Sequence, residues 1–405
     1  MIRRWIGLIG LAALLLLLSG CWDSIELNRR AVVSGMGIDI QQGDKPKYKV
    51  SLQVIIADEI SGKYSRGGSP VSVYYGEGRT IFEAVREASR KVPRYLSLGH
   101  INALIFSEEL ARSGIKDVLD YMERDAQIRT TSQVYLAKGQ EASDVVKVMT
   151  PIGKIPSSDL SQKSQASSTI LGNNYRVEID DVIRALQIPG GGPIINGVRV
   201  AGDLQTAPTK SNIEQINTPA ILELEGIGIF AGDKLITWLS PHQSRGLIWV
   251  SDKIKQTALV TGCADKKGLI AYEIIRSRTK VKAQLKDPEH PVIQISVMPQ
   301  ASIKELNCDL DVRKDSVLDQ LDKELNELIK QEMQSAVEEA KKIKSDVFGF
   351  GSVVERTNPK AWKSLKSRWA DIFAHIDVEY NVQTVIRYSG MRDRSYRSQI
   401  TGGEE

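Results

Sequence analysis

Histidine and cysteine are scarce in this sequence, and their scarcity excludes several kinds of site. The chain of 405 residues has four histidines and three cysteines. It contains no H-x-x-x-H pair and no Cys/His cluster, so we predict no metal site. No run of lysine and arginine stands out, and a nucleic-acid-binding surface is therefore not expected. The histidines are far apart in sequence, at His100, His242, His290 and His375.

Catalytic and cofactor-binding motifs are missing as well. The sequence has no G-x-S-x-G elbow, no S-x-x-K, no H-E-x-x-H and no glycine-rich loop ending in Gly-Lys. The glycines of PGGGP, residues 189–193, precede a strand-like segment, so we interpret them as a bend or domain hinge. VFGFG, residues 347–351, follows a helical pattern and is interpreted as the end of that helix. We predict no catalytic residues, no cofactor and no enzyme activity.

One long apolar run opens the chain, and no comparable run follows it. Two arginines precede apolar residues 5–18, a pattern typical of a secretory signal and short for a membrane span of about 20 residues. The run ends in LSGC, residues 18–21, which is a lipobox. We predict cleavage between Gly20 and Cys21 and attachment of a diacylglyceryl group to the Cys21 thiol. A plain signal peptide, or an uncleaved anchor with an incidental cysteine, is the alternative.

The remaining composition is that of an ordinary globular protein. Hydrophobic residues make up 41% and charged residues 26%, and 54 lysines and arginines against 50 acidic residues give a net charge of +4. This length predicts two or three domains. We divide the chain into five segments. Residues 1–20 are a signal peptide, residues 21–190 an N-terminal α/β part and residues 191–250 a middle β-hairpin part. Residues 251–395 form a C-terminal sheet with a long helix, and residues 396–405 are a frayed tail.

The N-terminal half alternates strand and helix patterns, which indicates a mixed α/β domain. Residues 31–40 and 47–56 have the pattern of two strands that form a hairpin. A helix follows, with Thr80 as a candidate N-cap and Pro93 closing it. SSDLSQKSQASST, residues 157–169, is small and polar, so we predict a mobile surface loop there.

The C-terminal half combines strand patterns with one long amphipathic helix. EGIGIF and LITWLS flank the turn AGDK and predict a hairpin over residues 225–240. Apolar residues recur on one helical face from Leu318 to Val347, which predicts a helix of about 45 Å that packs on a sheet. Period-two alternation over residues 376–388 predicts a final strand of about 13 residues with one wet face.

Two cysteines remain after Cys21, namely Cys263 and Cys308. An oxidising compartment would allow them to pair, but their distance does not follow from the sequence. Because both lie in strand-like surroundings, we expect two buried free thiols, with one disulfide as the alternative.

Four stretches, in order along the chain, carry a family resemblance. They are CWDSIELNRRAVVSGMGID at 21–39, LGHINALIFSEELA at 98–111 with ERDAQIR soon after, GIGIFAGDKLITWLSPHQSRGLIWV at 226–250 and SDVFGFGSVVERTNPKAWKSLKSRWADIF at 345–373. Together they resemble the Ger(x)C family of spore germination lipoproteins, the C subunits of nutrient germinant receptors. The stretches span nearly the whole mature chain.

The resemblance implies an α+β, mixed α/β fold of three mixed domains, with antiparallel-rich sheets and a long C-terminal helix packed on a sheet. It also implies a lipoprotein on the outer face of the spore inner membrane, beside two integral membrane subunits, A-type and B-type, one of them transporter-like. Such a receptor responds to nutrients and triggers release of ions and dipicolinic acid. No catalytic residue is attributed to this subunit, so only Cys21 carries over. The alternatives are a solute-binding lipoprotein that feeds an envelope transporter, and an envelope enzyme or its chaperone.

We predict that one of two surfaces contacts the membrane partners. The first is the exposed face of the long helix. The second is any exposed aromatic residue among Trp238, Trp249, Trp362 and Trp369. The alternative interpretation for each tryptophan is packing in the core.

Overall fold

The computed structural model describes Trp5 and residues 26–41, 43, 47–61, 67–263, 268–308 and 310–388. The lipobox with Cys21 and the predicted tail 396–405 lie outside these residues, so both remain predictions from the sequence.

The first nine strands form one sheet. They are β1 Arg30–Gln41, β2 Lys47–Ile55, β3 Val71–Gly78, β4 Tyr95–Ser97, β5 Ala103–Ser107, β6 Gln133–Ala137, β7 Ile194–Gly202, β8 Ala220–Ala231 and β9 Lys234–Leu239. The order is β3-β2-β1-β5-β6-β7-β8-β9, and β4 pairs with β1 outside this path. The central strands β1, β5, β6 and β7 run parallel, and antiparallel strands close both ends. The hairpin predicted over 31–40 and 47–56 is confirmed, with Ile38 opposite Val50.

Helices cover both faces of this sheet, as parallel strands with crossover connections require. They are α1 Ala57–Ser61, α2 Ile81–Ser89, α3 Glu108–Ser113, α4 Lys116–Arg124, α5 Ala142–Val146, α6 Pro156–Ile170 and α7 Ile179–Leu186. On one face, Ile81, Leu119 and Val182 pack into a common core with the sheet. On the other face, Val146 and Leu160 do the same.

The helix predicted after Thr80 is confirmed, and its sheet contact is close. The Thr80 side chain accepts a hydrogen bond from the Glu83 amide, 3.1 Å away, and so caps α2. A Cβ placed on Gly76 of β3 would lie 2.0 Å from the Ala84 carbonyl oxygen. Only glycine therefore lets strand and helix backbones approach this closely.

The mobile loop predicted over 157–169 is wrong, because these residues form α6. Pro156 occupies the first turn, where its missing N–H costs nothing. Leu160 and Ser164 are buried against the sheet. Hydrogen bonds to serine hydroxyls hold the helix in place where an apolar stripe would usually do so. Asn102 donates to the Ser158 hydroxyl at 2.8 Å, and Gln133 donates to the Ser161 hydroxyl. Composition alone could not reveal these long-range partners.

The C-terminal half surrounds one long helix with two small sheets. Its elements are α8 Pro241–Val250, β10 Thr257–Gly262, β11 Leu269–Arg276, β12 Thr279–Gln284, β13 Val292–Val297, β14 Gln300–Leu306, α9 Asp315–Lys342, α10 Phe350–Thr357, α11 Pro359–Leu365, α12 Trp369–His375, β15 Asp377–Val382 and β16 Val385–Tyr388. One sheet has the order β10-β11-β14-β16, and the other has the order β12-β13-β15.

Helix α9 is the long amphipathic helix that the sequence predicts. Its 28 residues extend about 42 Å. Its apolar stripe is buried against the two sheets and α8, with Leu321, Leu325, Ile329, Met333, Ala336, Val337 and Ala340 in the core. The helix ends at Lys342, so the end predicted at VFGFG is wrong. Gly349 has φ 73° and instead precedes α10.

The single final strand predicted over 376–388 is also wrong. The chain forms β15 and β16, which pair with β13 and β14 in different sheets. Thr384 lies between them, and its amide donates to the Asn326 side chain of α9 at 2.8 Å. The partner strands make the same change of sheet between Val297 and Gln300. The alternation of apolar and polar residues continues through the change of sheet, so the sequence pattern cannot reveal that the strand is divided in two.

Cys263 and Cys308 form a disulfide, so the expectation of two free thiols is wrong. Their Cα atoms are 6.2 Å apart, although the two cysteines are 45 positions apart in sequence. Strands β10 and β14 both pair with β11 in antiparallel register. This register brings the two cysteines to the same end of β11.

The glycine bend after α7 is packed against the C-terminal half. Gly190 has φ +66°, and its carbonyl accepts a hydrogen bond from the Asp346 amide at 2.9 Å. A Cβ on Gly192 would lie 2.1 Å from the Phe230 carbonyl oxygen. Because backbone groups pack this tightly around the bend, it forms a close packing contact with the region around α9, although the chain itself enters that region only after β9.

Candidate functional site

Three of the four tryptophans predicted as possible contacts are buried in the core. Trp249, Trp362 and Trp369 are at most 5% exposed, and the rings of the last two meet edge to face at 5.1 Å. Trp238 is half-buried, and its indole donates to Glu108 at 3.1 Å. The core interpretation is therefore confirmed for the three buried tryptophans, and docking through Trp362 or Trp369 is wrong.

The exposed face of α9 is highly charged, and its charges compensate one another only in the second half of the helix. Lys330 pairs with Glu327, Lys341 with Glu338 and Lys342 with Glu339, each three residues apart. Such pairs stabilise a helix by a few tenths of a kcal/mol and leave little net field. The first half of the helix is different, because four acidic residues between Asp315 and Glu324 stand there against Lys323 alone and make that part of the face negative.

Glu332 is the buried polar centre of the C-terminal half. It is 3% exposed, and it accepts bonds from the guanidinium of Arg245 on α8. The Trp249 indole donates to its second oxygen at 3.1 Å, and His242 lies 3.3 Å from the first. These contacts satisfy the buried charge and tie α8 to α9.

Two further buried carboxyl groups cap short helices. Asp346 accepts from the Trp369 indole at 2.9 Å and from the first amides of α10, and burial raises its pKa. Asp39 at the end of β1 accepts from the amides of Ala142 and Ser143 at 2.6 and 3.1 Å. Burial raises the pKa of Asp39 to about 6 against the opposing effect of these hydrogen bonds. Both groups are fully used in holding elements together.

Neither a metal cluster nor a membrane span is found in the part of the chain that the structure describes. No three histidine, cysteine, aspartate or glutamate side chains there come close enough to share an ion. Likewise, no described helix combines the length and the apolar character needed to cross a bilayer.

A cleft of about 960 Å³ opens where the described chain begins. We call it the basic cleft and define it by Asn28, Arg29, Phe82, Arg86, Arg94 and Tyr95. Helix α2 supplies Phe82 and Arg86, Arg94 directly precedes β4, and Tyr95 is the first residue of β4. All six residues are exposed. The Arg86 guanidinium lies 4.8 Å from the centre of the Phe82 ring. Sequence reasoning missed this cleft because its arginines come from separate segments, and only REASRKVPR, residues 86–94, hinted at it.

A second concave surface, the apolar groove, lies between α6 and β8. Its volume is about 630 Å³. It is defined by Ile152, Ile170, Leu171 and Ile221, and Ile152 is 99% exposed. Exposed apolar patches of this kind commonly mark contact surfaces. Lys163 crosses the groove and donates to the Leu222 carbonyl on the open side of β8.

Comparison with known proteins covers nearly the whole chain. A family model described as Spore germination protein N-terminal domain matches residues 23–200, and one described as Spore germination B3/GerAC like, C-terminal, matches residues 225–390. Spore germination protein KC of Bacillus subtilis (strain 168) is 30% identical over 409 residues, covering 99% of each chain. Spore germination protein B3 of the same strain is 27% identical and covers 91% of this chain and 94% of that protein.

The fold also has a counterpart among solved structures. The crystal structure of the GerBC protein matches with a TM-score of 0.53 at 22% identity, over 90% of this chain and 99% of that chain. This likeness concerns the fold, which is the mixed α+β arrangement that the sequence predicts. Both family models and the full-length match to protein KC agree on one assignment. The chain therefore belongs to the GerAC-type family of spore germination proteins.

Proposed function

We propose that this protein is the lipid-anchored, non-catalytic subunit of a nutrient germinant receptor. It acts at the outer face of the spore inner membrane, beside two integral membrane subunits of the A and B types. One observation carries the proposal: the lipobox LSGC, residues 18–21, is followed directly by a chain that matches the germination family from residue 23. The fully hydrogen-bonded state of Glu332, Asp346 and Asp39 supports a structural role for the buried carboxyl groups.

Cys21 supplies the anchor in this proposal. Its thiol is alkylated with a diacylglyceryl group by a processing enzyme, and the peptide before it is then removed. Each buried methylene adds about 0.8 kcal/mol of membrane affinity, so two or three acyl chains hold the protein stably. The anchor confines the folded body to a thin layer and so raises its effective concentration for membrane partners.

Recovery of the protein from spore inner membranes tests this assignment. Tagged protein is solubilised in detergent, captured and analysed by mass spectrometry. We expect a lipidated Cys21 peptide together with two polytopic membrane proteins. Recovery of a transporter ATPase and its permease instead would identify a solute-binding lipoprotein and overturn the proposal.

The Cys21→Ala variant tests the anchor itself. We expect it to fold but to lose nearly all membrane association, because the acyl chains supply most of the affinity. The measurement is the ratio of membrane-bound to soluble protein on immunoblots, and Ser24→Ala, three residues away, is the matched control. A Cys21→Ala protein that stays fully membrane-bound would show that another segment is the anchor.

A further inference from the structure

The basic cleft has an unbalanced positive charge. Arg29, Arg86 and Arg94 form no ion pair with any other residue of the described chain, whereas nearby Arg90 pairs with Glu87 at 3.0 Å. The acidic group among the cleft residues is Asp125, and its two oxygens accept from the Tyr121 hydroxyl and the Gln127 amide. The chain as a whole is nearly neutral, at +4 over 405 residues. The cleft itself thus carries three arginines against one carboxylate.

Aromatic rings lie among these arginines. Phe82 is 52% exposed and Tyr95 is 62% exposed. Water-exposed aromatic rings beside arginines are typical of surfaces that lie at the boundary between water and lipid headgroups. Apolar residues form the floor of the cleft, among them Val85 and Leu98. The rings therefore have a rigid support.

The path of the chain places this cleft next to the proposed anchor. Strand β4 pairs in parallel with the start of β1, and Tyr95 lies opposite Arg30. Five residues lead from Cys21 to Glu26, the first residue of the continuous described chain. At about 3.3 to 3.6 Å per residue, they span at most about 18 Å. A lipidated Cys21 would therefore keep the start of the described chain, where Asn28 and Arg29 line the cleft, close enough for the cleft to reach the headgroups.

We propose that the basic cleft binds the headgroups of anionic phospholipids and seats this end of the protein on the membrane surface. The inference rests on the proposed function in one respect, namely the lipid anchor at Cys21. Arg29, Arg86 and Arg94 contact headgroup phosphates, while Phe82 and Tyr95 enter the interfacial layer. Each basic residue close to an anionic surface raises the partition coefficient about fivefold. Binding of the cleft to the membrane surface fixes the orientation of the folded protein, which a flexible lipid anchor alone does not.

Vesicle binding of the unlipidated mature chain tests the cleft without the anchor. Residues 21–405 carrying Cys21→Ser are mixed with vesicles of phosphatidylcholine, with or without about 30% phosphatidylglycerol, and bound protein is measured by sedimentation. We expect binding to the anionic vesicles alone, and its loss when sodium chloride is raised from about 50 mM to about 500 mM. Equal binding to neutral and anionic vesicles overturns the proposal.

A double neutralisation locates the binding. Arg86→Gln with Arg94→Gln should lower the partition coefficient about 25-fold. The matched control is Arg276→Gln with Arg278→Gln, two exposed arginines of the C-terminal half, which should change it less than about twofold. Equal melting temperatures establish that both variants are folded. An unchanged partition coefficient for the cleft variant, or an equal loss in both, overturns the proposal.

The two proposals fail in different experiments. Absence of receptor subunits from the spore membrane capture would overturn the receptor assignment and leave vesicle binding unaffected. Absence of binding to anionic vesicles would overturn the cleft proposal and leave the captured complex intact. A cleft variant that keeps its vesicle binding but loses its membrane subunits would assign the cleft to a protein partner and overturn the lipid proposal.

Discussion

The nine-stranded sheet and the region around α9 stabilise their cores in different ways. In the sheet, apolar residues fill both faces, and the buried Asp39 accepts hydrogen bonds from backbone amides. Around α9, a buried ion pair joins Arg245 to Glu332 and a disulfide joins Cys263 to Cys308. The comparison teaches that the C-terminal region depends on a charged pair and a covalent link, so single substitutions there should affect it selectively.

The largest effect is expected from Glu332→Ala. The change leaves Arg245 charged and largely buried, and it leaves the Trp249 indole without its acceptor. Removing one partner of a buried pair costs about 3 to 5 kcal/mol of unfolding free energy. Urea unfolding followed by tryptophan fluorescence measures this loss.

Glu338→Ala on the same helix is the control for this change. Glu338 is exposed and pairs with Lys341, so its loss should cost no more than about 0.5 kcal/mol. Equal losses of unfolding free energy in both variants would mean that the buried contacts of Glu332 stabilise the protein no more than an exposed ion pair does. The contrast between the two regions would then fail.

A smaller effect is expected from removing the disulfide. Cys263→Ser with Cys308→Ser frees a segment of 45 residues, which raises the entropy of the unfolded chain and costs about 2 to 4 kcal/mol. Hydrogen exchange should become faster in β10, β11 and β14 while β5 and β6 keep their protection. Reducing agent should reproduce the loss in the unchanged protein. Equal acceleration in both regions would show that they unfold as one unit.

The smallest effect is a pH dependence in the sheet. Burial raises the pKa of Asp39 from 3.8 to about 6, so the folded state binds this proton more tightly than the unfolded state does. The resulting stabilisation is complete below about pH 4 and is lost as the pH rises to about 6, by up to about 3 kcal/mol. Asp39→Asn removes the titration. The unfolding free energy of the unchanged protein minus that of the variant should fall over this range, and a difference that rises with pH would contradict the assignment.

Periodic patterns predicted much of this fold. The alternation of residues 47–56, the Thr80 cap and the apolar stripe of α9 each depend on neighbours in sequence, and each is present in the structure. The helix α6 was missed because its stabilising partners, such as Asn102 and Gln133, lie far away in the chain. The residues of α8, RGLIWV among them, look strand-like, yet the capping box between Ser240 and Gln243 starts a helix there.

The candidate sites were less accessible to sequence reasoning. Cys21 was predicted because its motif is contiguous, and it stays a prediction. The disulfide depends on the pairing of β10 and β14 with β11, which no local pattern encodes. The basic cleft depends on the parallel pairing of β4 with β1, which brings Arg94 and Tyr95 to the start of the chain.

The change of sheet at Thr384 has a consequence for the order in which the chain can fold. Because β15 completes one small sheet and β16 the other, neither sheet is complete until the last part of the chain is available. The nine-stranded sheet is complete at Leu239, so it can assemble before the residues that follow it. A premature stop codon shortly before residue 377 would therefore leave an assembled first half attached to a second half that lacks a strand in both of its sheets.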